Sequence, residues 1–214
     1  MAAKKLVLVA LILVAMQAAA SAGNYWIDPK HSHIGITVKQ MKIFNLKGKF
    51  KKFTGNVYFD KENLTIEKAD FTVRAGSLDT GNRDRDRKFR TPGFLYTRKF
   101  PEITLTVGKS GKLDGKRGTL TGDLTLRGVT RPVEFNVEYL GSGTDLCRYK
   151  RISLAAKGKI NRTDFGITRQ EMIKEGVPMY GDEITLDIKL AGVLLDPTQA
   201  AFKCGNYPAS RTRM

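Results

Sequence analysis

The chain has 214 residues, of which 41% are hydrophobic and 27% are charged, a balance typical of a folded globular protein and not of a disordered one. Its two His and two Cys are too few for an iron–sulfur protein or a cysteine-rich zinc module. The formal net charge of +16, from 37 Lys and Arg against 21 Asp and Glu, indicates acidic partners or an anionic surface.

Residues 1–22 have the pattern of a cleavable secretory signal. Lys4 and Lys5 precede an apolar run over residues 6–16, and small residues end the segment at Ala22. The sequence therefore predicts cleavage before Gly23 and export to the periplasm of a Gram-negative bacterium. Because cleavage removes two lysines, the net charge would fall from +16 to +14. An uncleaved anchor is the alternative, although the apolar run is shorter than the roughly 20 residues of a membrane span.

Two cysteines in an exported protein favour a disulfide bond. A bridge between Cys147 and Cys204 would hold the C-terminal tail, residues 196–214, against the body of the protein. In the chain-entropy view a loop of this length would stabilise the fold by roughly 4 kcal/mol. Two unpaired thiols are the alternative. The chain has no C-x-x-C pair, so a redox role is not expected.

From residue 33 onward apolar residues recur with a period of two, which is the signature of half-buried β-strands. Eight such segments occur in chain order: Ile34–Val38, Val57–Phe59, Ala69–Ala75, Ile103–Val107, Leu120–Leu126, Val133–Tyr139, Ile152–Ile160 and Ile184–Leu190. Most are separated by short polar turns, which indicates an antiparallel meander. Eight strands either close into a barrel or split into two sheets. A closed barrel over residues 23–195 is favoured because closure removes exposed edges.

One densely charged segment interrupts the alternation. Residues 83–90 place Asp84 four residues before Lys88 and Asp86 four residues before Arg90, a spacing at which oppositely charged side chains meet on a helix. The sequence predicts a short helix near residues 82–91 that crosses one end of the barrel. A solvated helix neutralised by its own aspartates and a binding site for anionic groups are both open interpretations.

Catalytic motifs are largely absent. His31 and His33 would share one face of a strand, but two ligands do not make a zinc site, and Ser32 between them would face the other way. Polar residues that anchor the start of a strand are the simpler interpretation. We therefore expect no enzyme, no catalytic residues, no metal and no catalytic cofactor.

Six motifs occur in order along the mature chain. They are Tyr25-Trp-Ile-Asp28-Pro-Lys-His31-Ser32, Gly48-Lys-Phe50 with Phe53-Thr-Gly55, Ser77-Leu-Asp79-Thr80-Gly-Asn82 with Arg85-Asp86, Lys99-Phe100-Pro101-Glu-Ile103-Thr104, Leu124-Thr-Leu-Arg127-Gly128-Val129-Thr130-Arg-Pro132-Val133, and Ile160-Asn161-Arg162-Thr163-Asp164-Phe165-Gly166-Ile167. This order, from about Asn24 to Leu194, resembles the YceI family of lipocalin-like, polyisoprenoid-binding bacterial proteins. The resemblance implies an all-β, eight-stranded antiparallel barrel whose apolar interior holds a long isoprenoid tail.

The chain departs from the family pattern on the predicted helix and directly after it. Lys88-Phe89 stands where the family usually has His-Leu, and Pro92-Gly93-Phe94-Leu95 stands where it favours an acid and two aromatic residues. Ligand choice or entry is therefore expected to differ here. The high positive charge suggests an anionic head group, such as a diphosphate, or an anionic membrane surface.

The resemblance and the alternation together predict a carrier of a prenyl quinone, prenol or prenyl diphosphate. The predicted lining residues are Ile36, Val38, Phe59, Phe71, Val73, Leu105, Leu126, Phe135, Val137, Leu154, Leu186, Phe89 and Phe94, and the head-group candidates are Arg83, Arg85, Arg87 and Arg90. The same apolar residues would also line a filled core, so the alternative is a basic envelope protein that binds anionic polymers or membranes. No specific nucleic-acid partner is expected, and the protein would be a monomer or a homodimer.

Overall fold

The computed structural model describes residues 22–174 and 176–195, in which eleven β-segments and one α-helix are connected mainly by short turns. The strands are β1 (Gly23–Ile27), β2 (His33–Gln40), β3 (Phe44–Phe50), β4 (Phe53–Asp60), β5 (Thr65–Arg74), β6 (Leu78–Asp79), β7 (Glu102–Val107), β8 (Arg117–Leu126), β9 (Val129–Thr144), β10 (Lys150–Asn161) and β11 (Tyr180–Leu194). The helix is α1 (Arg83–Phe89), and short 3₁₀ turns lie at Ala75–Ser77 and Arg162–Phe165.

The eleven segments form eight long antiparallel strands. Consecutive segments β1 and β2, β3 and β4, and β5 and β6 are each two halves of one interrupted strand, because β2 pairs with β3 where β1 pairs with β4. Pairing then continues in chain order through β7, β8, β9 and β10 to β11. Since β11 also pairs with β1 and β2, the sheet closes on itself. The predicted eight-stranded barrel is confirmed.

The alternation in sequence is the alternation of inside and outside. On β9, Val133, Phe135 and Val137 are buried, whereas Glu134 and Asn136 between them are exposed. The ring of Phe135 lies over Gly158 of β10, its cross-strand partner, on the inner face of the barrel. A Cβ at that glycine would lie 2.8 Å from the Phe135 ring, so the strand carries no side chain there. The inward side chains therefore form an apolar interior that packs closely against the barrel wall.

The barrel has two different ends. The helix end carries α1 with the loop to residue 101, the β2–β3 turn at 41–43, the β8–β9 turn at 127–128 and the segment 162–179. The terminal end carries residues 22 and 195, the first and last that the structure describes, and the turns at 61–64, 108–116 and 145–149. Every turn in the meander falls at one of these two ends because all neighbouring strands run antiparallel.

The predicted helix over one end is confirmed, but its predicted ion pairs are wrong. The side chain of Asn82 caps α1 by accepting hydrogen bonds from the backbone N–H of Asp84 (3.1 Å) and Arg85 (3.0 Å). Asp84 pairs with Arg87 rather than with Lys88, whose Nζ lies 2.9 Å from Glu171. Asp86 is buried and does not pair with Arg90, because it accepts two hydrogen bonds from Thr80.

Three predictions fall outside the described residues. These are the signal segment up to residue 21, the tail 196–214, and Cys204 with its proposed bond to Cys147. They stay predictions. Within the described part of the chain, no helix is long and apolar enough to cross a membrane.

Candidate ligand cavity

The barrel encloses a cavity of about 150 Å³ with an almost wholly apolar wall. Among the described residues that line it, Thr104 is the single polar one, and the others are Ala, Val, Leu, Ile and Phe. An apolar cavity of this size has no partners for water hydrogen bonds, so it stays dry and accepts apolar guests. The interior is therefore suited to a hydrocarbon and not to a polar substrate.

The cavity is long and narrow. Its lining residues on β10 extend from Leu154 to Ile160, which at 3.3 Å per residue is a distance of about 20 Å along the strand. A small volume distributed over such a length leaves room for a chain and little room for a bulky ring system. The shape favours an extended hydrocarbon tail.

Nine of the thirteen predicted lining residues surround this cavity. They are Ile36, Phe71, Val73, Leu105, Leu126, Phe135, Val137, Leu154 and Leu186. They come from seven different segments, which the barrel brings to one axis because each position faces inward by strand alternation. Their role in binding a ligand stays a prediction.

The remaining four predicted lining residues are buried outside the cavity wall. Val38 packs near the helix end opposite Leu46, its neighbour across the β2–β3 ladder. Phe59 is fully buried at the terminal end, where its ring centroid lies 5.0 Å from that of Tyr139. Phe89 and Phe94 pack against each other and against Tyr180 at the helix end. These residues point inward, but they fill the barrel ends.

Small side chains make room in the interior, and sequence reasoning missed them as lining residues. Ala69 on β5 and Ala156 on β10 occupy inward positions where a larger residue would fill the cavity. Both lie at inward positions of predicted strands, and their small side chains were the sequence signal that the interior has open space. Leu95 and Ile167 also line the cavity, although they lie on loops at the helix end, where the sequence shows no alternation of apolar and polar residues.

The loop after α1 forms part of the cavity wall and is fastened to two neighbouring turns. Arg127 of the β8–β9 turn donates hydrogen bonds to the carbonyl oxygens of Pro92 (3.0 Å) and Phe94. Lys88 on α1, directly before the loop, pairs with Glu171 in the segment 162–179. The segment that departs from the family pattern thus covers the helix end of the cavity.

The segment 166–169, opposite this loop, is held by a buried arginine. Arg162 is 4% exposed, and its Nη1 donates to the carbonyl oxygens of Ile167 (2.6 Å) and Arg169 (3.0 Å). Its Nη2 lies 2.7 Å from Asp182 on β11. Arg162 therefore has a structural role, fixing the loop that presents Ile167 to the cavity.

None of the four head-group candidates lines the cavity. Arg85 donates hydrogen bonds to the hydroxyl and carbonyl of Thr80, and Arg90 donates to the carbonyl of Leu78 (3.4 Å). Arg87 pairs with Asp84 on the exposed face of α1, and Arg83 is exposed. Arg85 and Arg90 therefore stabilise the helix end, whereas Arg83 and Arg87 are exposed on α1.

The terminal end contains a buried charge cluster. Asp28 is 2% exposed, and its Oδ2 lies 2.6 Å from His31 Nδ1 and 3.2 Å from Arg151 Nη1, while Arg151 Nε lies 2.6 Å from Asp145. Burial alone would raise the pKa of Asp28, but hydrogen bonds from His31, Lys30 and Arg151 outweigh it and hold that pKa below its usual value. The cluster joins the β1–β2 break to β10.

Two residues of the His31-Ser32-His33 cluster make hydrogen bonds that anchor the start of β2. His31 pairs with Asp28, and Ser32 Oγ accepts a hydrogen bond from the backbone N–H of Ala191 (2.9 Å). Within residues 22–174 and 176–195, no three His, Cys, Asp or Glu side chains are grouped so that they could hold a metal ion.

Comparisons with known proteins agree with this geometry. The family model of the YceI-like domain matches residues 25–191. Protein YceI of Escherichia coli O157:H7 is 36% identical over 176 residues, which cover 81% of this chain and 88% of that protein. Among solved structures, a YceI protein of Campylobacter jejuni superposes with a TM-score of 0.65 at 30% identity, covering 74% of this chain and 90% of the other.

A more distant structure is a polyisoprenoid-binding domain from Saccharophagus degradans implicated in plant cell wall breakdown. It superposes with a TM-score of 0.58 and covers 81% of this chain and 99% of that domain. At 16% identity, this likeness concerns the fold alone.

Proposed function

The chain belongs to the YceI family, and we propose that it is a periplasmic carrier that holds the tail of an isoprenoid lipid inside its barrel. The observation that carries this proposal is the long cavity, in whose described lining Thr104 is the single polar residue. The polyisoprenoid-binding domain with the same fold supports the choice of ligand class. The lipid would be a prenyl quinone, a prenol or a prenyl diphosphate.

Burial provides the affinity for such a ligand. Moving hydrocarbon from water into an apolar cavity is worth roughly 25 cal/mol per Å² of surface removed from water, so a long tail binds without any directional contact. The cavity is narrow, so a tail of many isoprene units needs the surrounding Leu and Ile side chains to shift. Tail length and branching would therefore set the selectivity of the barrel.

The head group would remain at one end of the barrel, outside the apolar wall. A net charge of +14 after cleavage of the signal segment favours an anionic group such as a diphosphate. The exposed arginines Arg83 and Arg87 lie on α1 at the helix end, close to the loop that closes the cavity. Of the four predicted head-group arginines, we therefore propose Arg83 and Arg87 as the ones that contact the anionic group.

The alternative function is that of a basic envelope protein with a filled barrel. The cavity disfavours it, because small inward residues such as Ala156 leave space that a ligandless core would fill. No observation on the described residues favours catalysis over binding, and we propose no enzymatic activity.

The test is to extract and identify the bound lipid. Mature protein is purified from a bacterial periplasm with high-salt washes, extracted with organic solvent and analysed by mass spectrometry. We expect one prenyl lipid per barrel. Protein that emerges empty and does not bind prenol or prenyl quinone in titration would contradict the carrier function.

We also propose that Cys147 and Cys204 are bridged in the exported protein. Peptide mapping without reductant would show the linked peptides, and free thiol labelling at Cys147 would contradict the bridge.

A further inference from the structure

Three large apolar side chains project into solvent at the helix end. Ile43 and Phe44 at the β2–β3 turn are 70% and 57% exposed, and Met172 is 60% exposed. Among the other large apolar side chains of the described residues, only Leu140 and Leu146 are comparably exposed, one on the barrel wall and one at the terminal end. We call Ile43, Phe44 and Met172 the apolar tip.

Backbone hydrogen bonds bring the two parts of the apolar tip together. The N–H of Met41 donates to the carbonyl of Met179 (3.0 Å), and the N–H of Met179 donates to the carbonyl of Glu171 (2.6 Å). Neighbouring extended chains lie about 4.8 Å apart, so the β2–β3 turn and the segment that holds Met172 are separated by roughly two chain spacings. The three side chains therefore belong to one surface.

The β2–β3 turn keeps long side chains where the backbone favours glycine. Met41 and Lys42 have φ values of 51° and 62°, in the left-handed region. The two comparable turns, at 115–116 and 127–128, each contain a glycine in that region. A turn with two such residues usually has Asn-Gly, so Met41 and Lys42 oppose stability. Strain of this kind often marks a functional surface.

A cationic strip extends from the apolar tip along β2 and β3. Residues 39–52 contain six lysines and no acidic residue. Within the described part of the chain, only Lys51 of these six has an acidic partner at ion-pair distance, Asp79 at 2.5 Å. Glu171, which precedes Met172, is already paired with Lys88 and Arg169. The unneutralised lysines are Lys39, Lys42, Lys47, Lys49 and Lys52, all exposed.

Exposed apolar residues inside a cationic strip are the combination that binds an anionic bilayer surface. We propose that the helix end docks onto an anionic membrane, with Ile43, Phe44 and Met172 entering the headgroup layer and the lysines contacting lipid phosphates. The loop that contains Leu95, which lines the cavity, lies at the same end. This docking does not require a lipid inside the barrel, so it can fail or succeed independently of the carrier function.

Protection of an exposed strand edge is an alternative explanation for the lysines of the β2–β3 hairpin. From Phe44 to Gly48, β3 has no second ladder partner among the described residues, and lysines on a free edge prevent aggregation. Edge protection alone explains Lys47 but not the exposed Ile43 and Phe44, which would promote aggregation. Membrane docking predicts binding to anionic vesicles that depends on Ile43 and Phe44, whereas edge protection predicts no such dependence.

The experiment is flotation of the full mature protein with vesicles of phosphatidylcholine, with and without 30% phosphatidylglycerol. We expect binding only to the anionic vesicles. The double variant Ile43→Ser/Phe44→Ser should bind at least tenfold more weakly. Lys42→Gln/Lys47→Gln should lose about fivefold per lysine. Leu140→Ser and the charge-matched Lys157→Gln/Lys189→Gln on the barrel wall should bind like the wild type.

Several results would overturn the proposal. Wild-type protein that stays unbound on anionic vesicles contradicts it directly. Equal losses in the wall variants would show nonspecific charge attraction, and unchanged binding of Ile43→Ser/Phe44→Ser would show a polyanion site without insertion. As a check that does not depend on loss of binding, emission of a Phe44→Trp variant, corrected for native Trp26, should be quenched by brominated lipid. No quenching would mean that the tip stays in water.

Discussion

The two ends of this barrel are stabilised by different interactions. At the terminal end, buried Asp28 and partly buried Arg151 and Asp145 form one network, and the tight turn at 114–117 has one glycine, Gly115, beside Lys116 in the left-handed region. At the helix end, the equivalent turn holds Met41 and Lys42 in strained conformations and exposes Ile43 and Phe44. The comparison suggests that one end favours stability and the other keeps side chains for contact with a partner.

The largest difference should come from breaking the buried network. Arg151→Leu leaves Asp28 and Asp145 without this cation, and we expect the free energy of unfolding to fall by about 3 kcal/mol. Denaturant unfolding measures the loss. Arg117→Leu is the matched control, because Arg117 pairs with Glu138 on the exposed surface and should cost at most about 1 kcal/mol. Equal losses in the two variants would show that this network contributes no more stability than an exposed ion pair at the same end.

Acid should weaken the same network. Burial alone would raise the pKa values of Asp28 and Asp145, but hydrogen bonds outweigh it and hold both below their usual value of 3.8: from His31, Lys30 and Arg151 to Asp28, and from Arg151 and backbone N–H groups to Asp145. A lowered pKa in the folded state contributes stability above pH 3.8 that is lost as the pH falls through the folded pKa. The stability gap between wild type and Arg151→Leu should therefore shrink from pH 6 to pH 2.5. A constant gap would contradict this assignment.

The smallest expected effect is a gain in stability at the helix end. Met41→Asn/Lys42→Gly places residues that tolerate positive φ in the β2–β3 turn, and we expect a gain of about 1 kcal/mol. The same variant should bind anionic vesicles more weakly because it loses Lys42. At the terminal end, Lys116→Gly at φ 78° should also stabilise the protein but leave vesicle binding unchanged. A loss of vesicle binding in Lys116→Gly would contradict the proposal that the helix end, and not the terminal end, docks onto the membrane.

Sequence alternation predicts which side chains point inward but not how far along the barrel they lie. This is why Phe71, Leu105 and Leu154 line the cavity, whereas Phe59 and Val38, equally inward, pack near its ends. The lining contributions of Leu95 and Ile167 come from loops whose positions are fixed by Arg127 and Arg162. Such long-range hydrogen bonds leave no periodic signal in the sequence.

The helix shows the same limit. Its position near residues 82–91 follows from the local charge spacing and was predictable, and in the structure Asn82 caps its start. Its ion pairs were not predictable, because Lys88 reaches Glu171, a residue 83 positions away, and Asp86 turns inward to Thr80. Local spacing predicts that a helix forms, while tertiary packing decides which side chains meet.

The central claim is that a hydrocarbon tail occupies the barrel, and filling the cavity tests it most directly. Ala156→Phe adds an aromatic ring at an inward position of the lining, and Thr121→Phe adds the same ring on the exposed face of β8. After a check that both variants unfold cooperatively, the measurement is the amount of lipid that copurifies with each. The account predicts that Ala156→Phe loses at least tenfold of the copurifying lipid and that Thr121→Phe loses none. Full lipid occupancy in Ala156→Phe would place the ligand elsewhere and contradict the account.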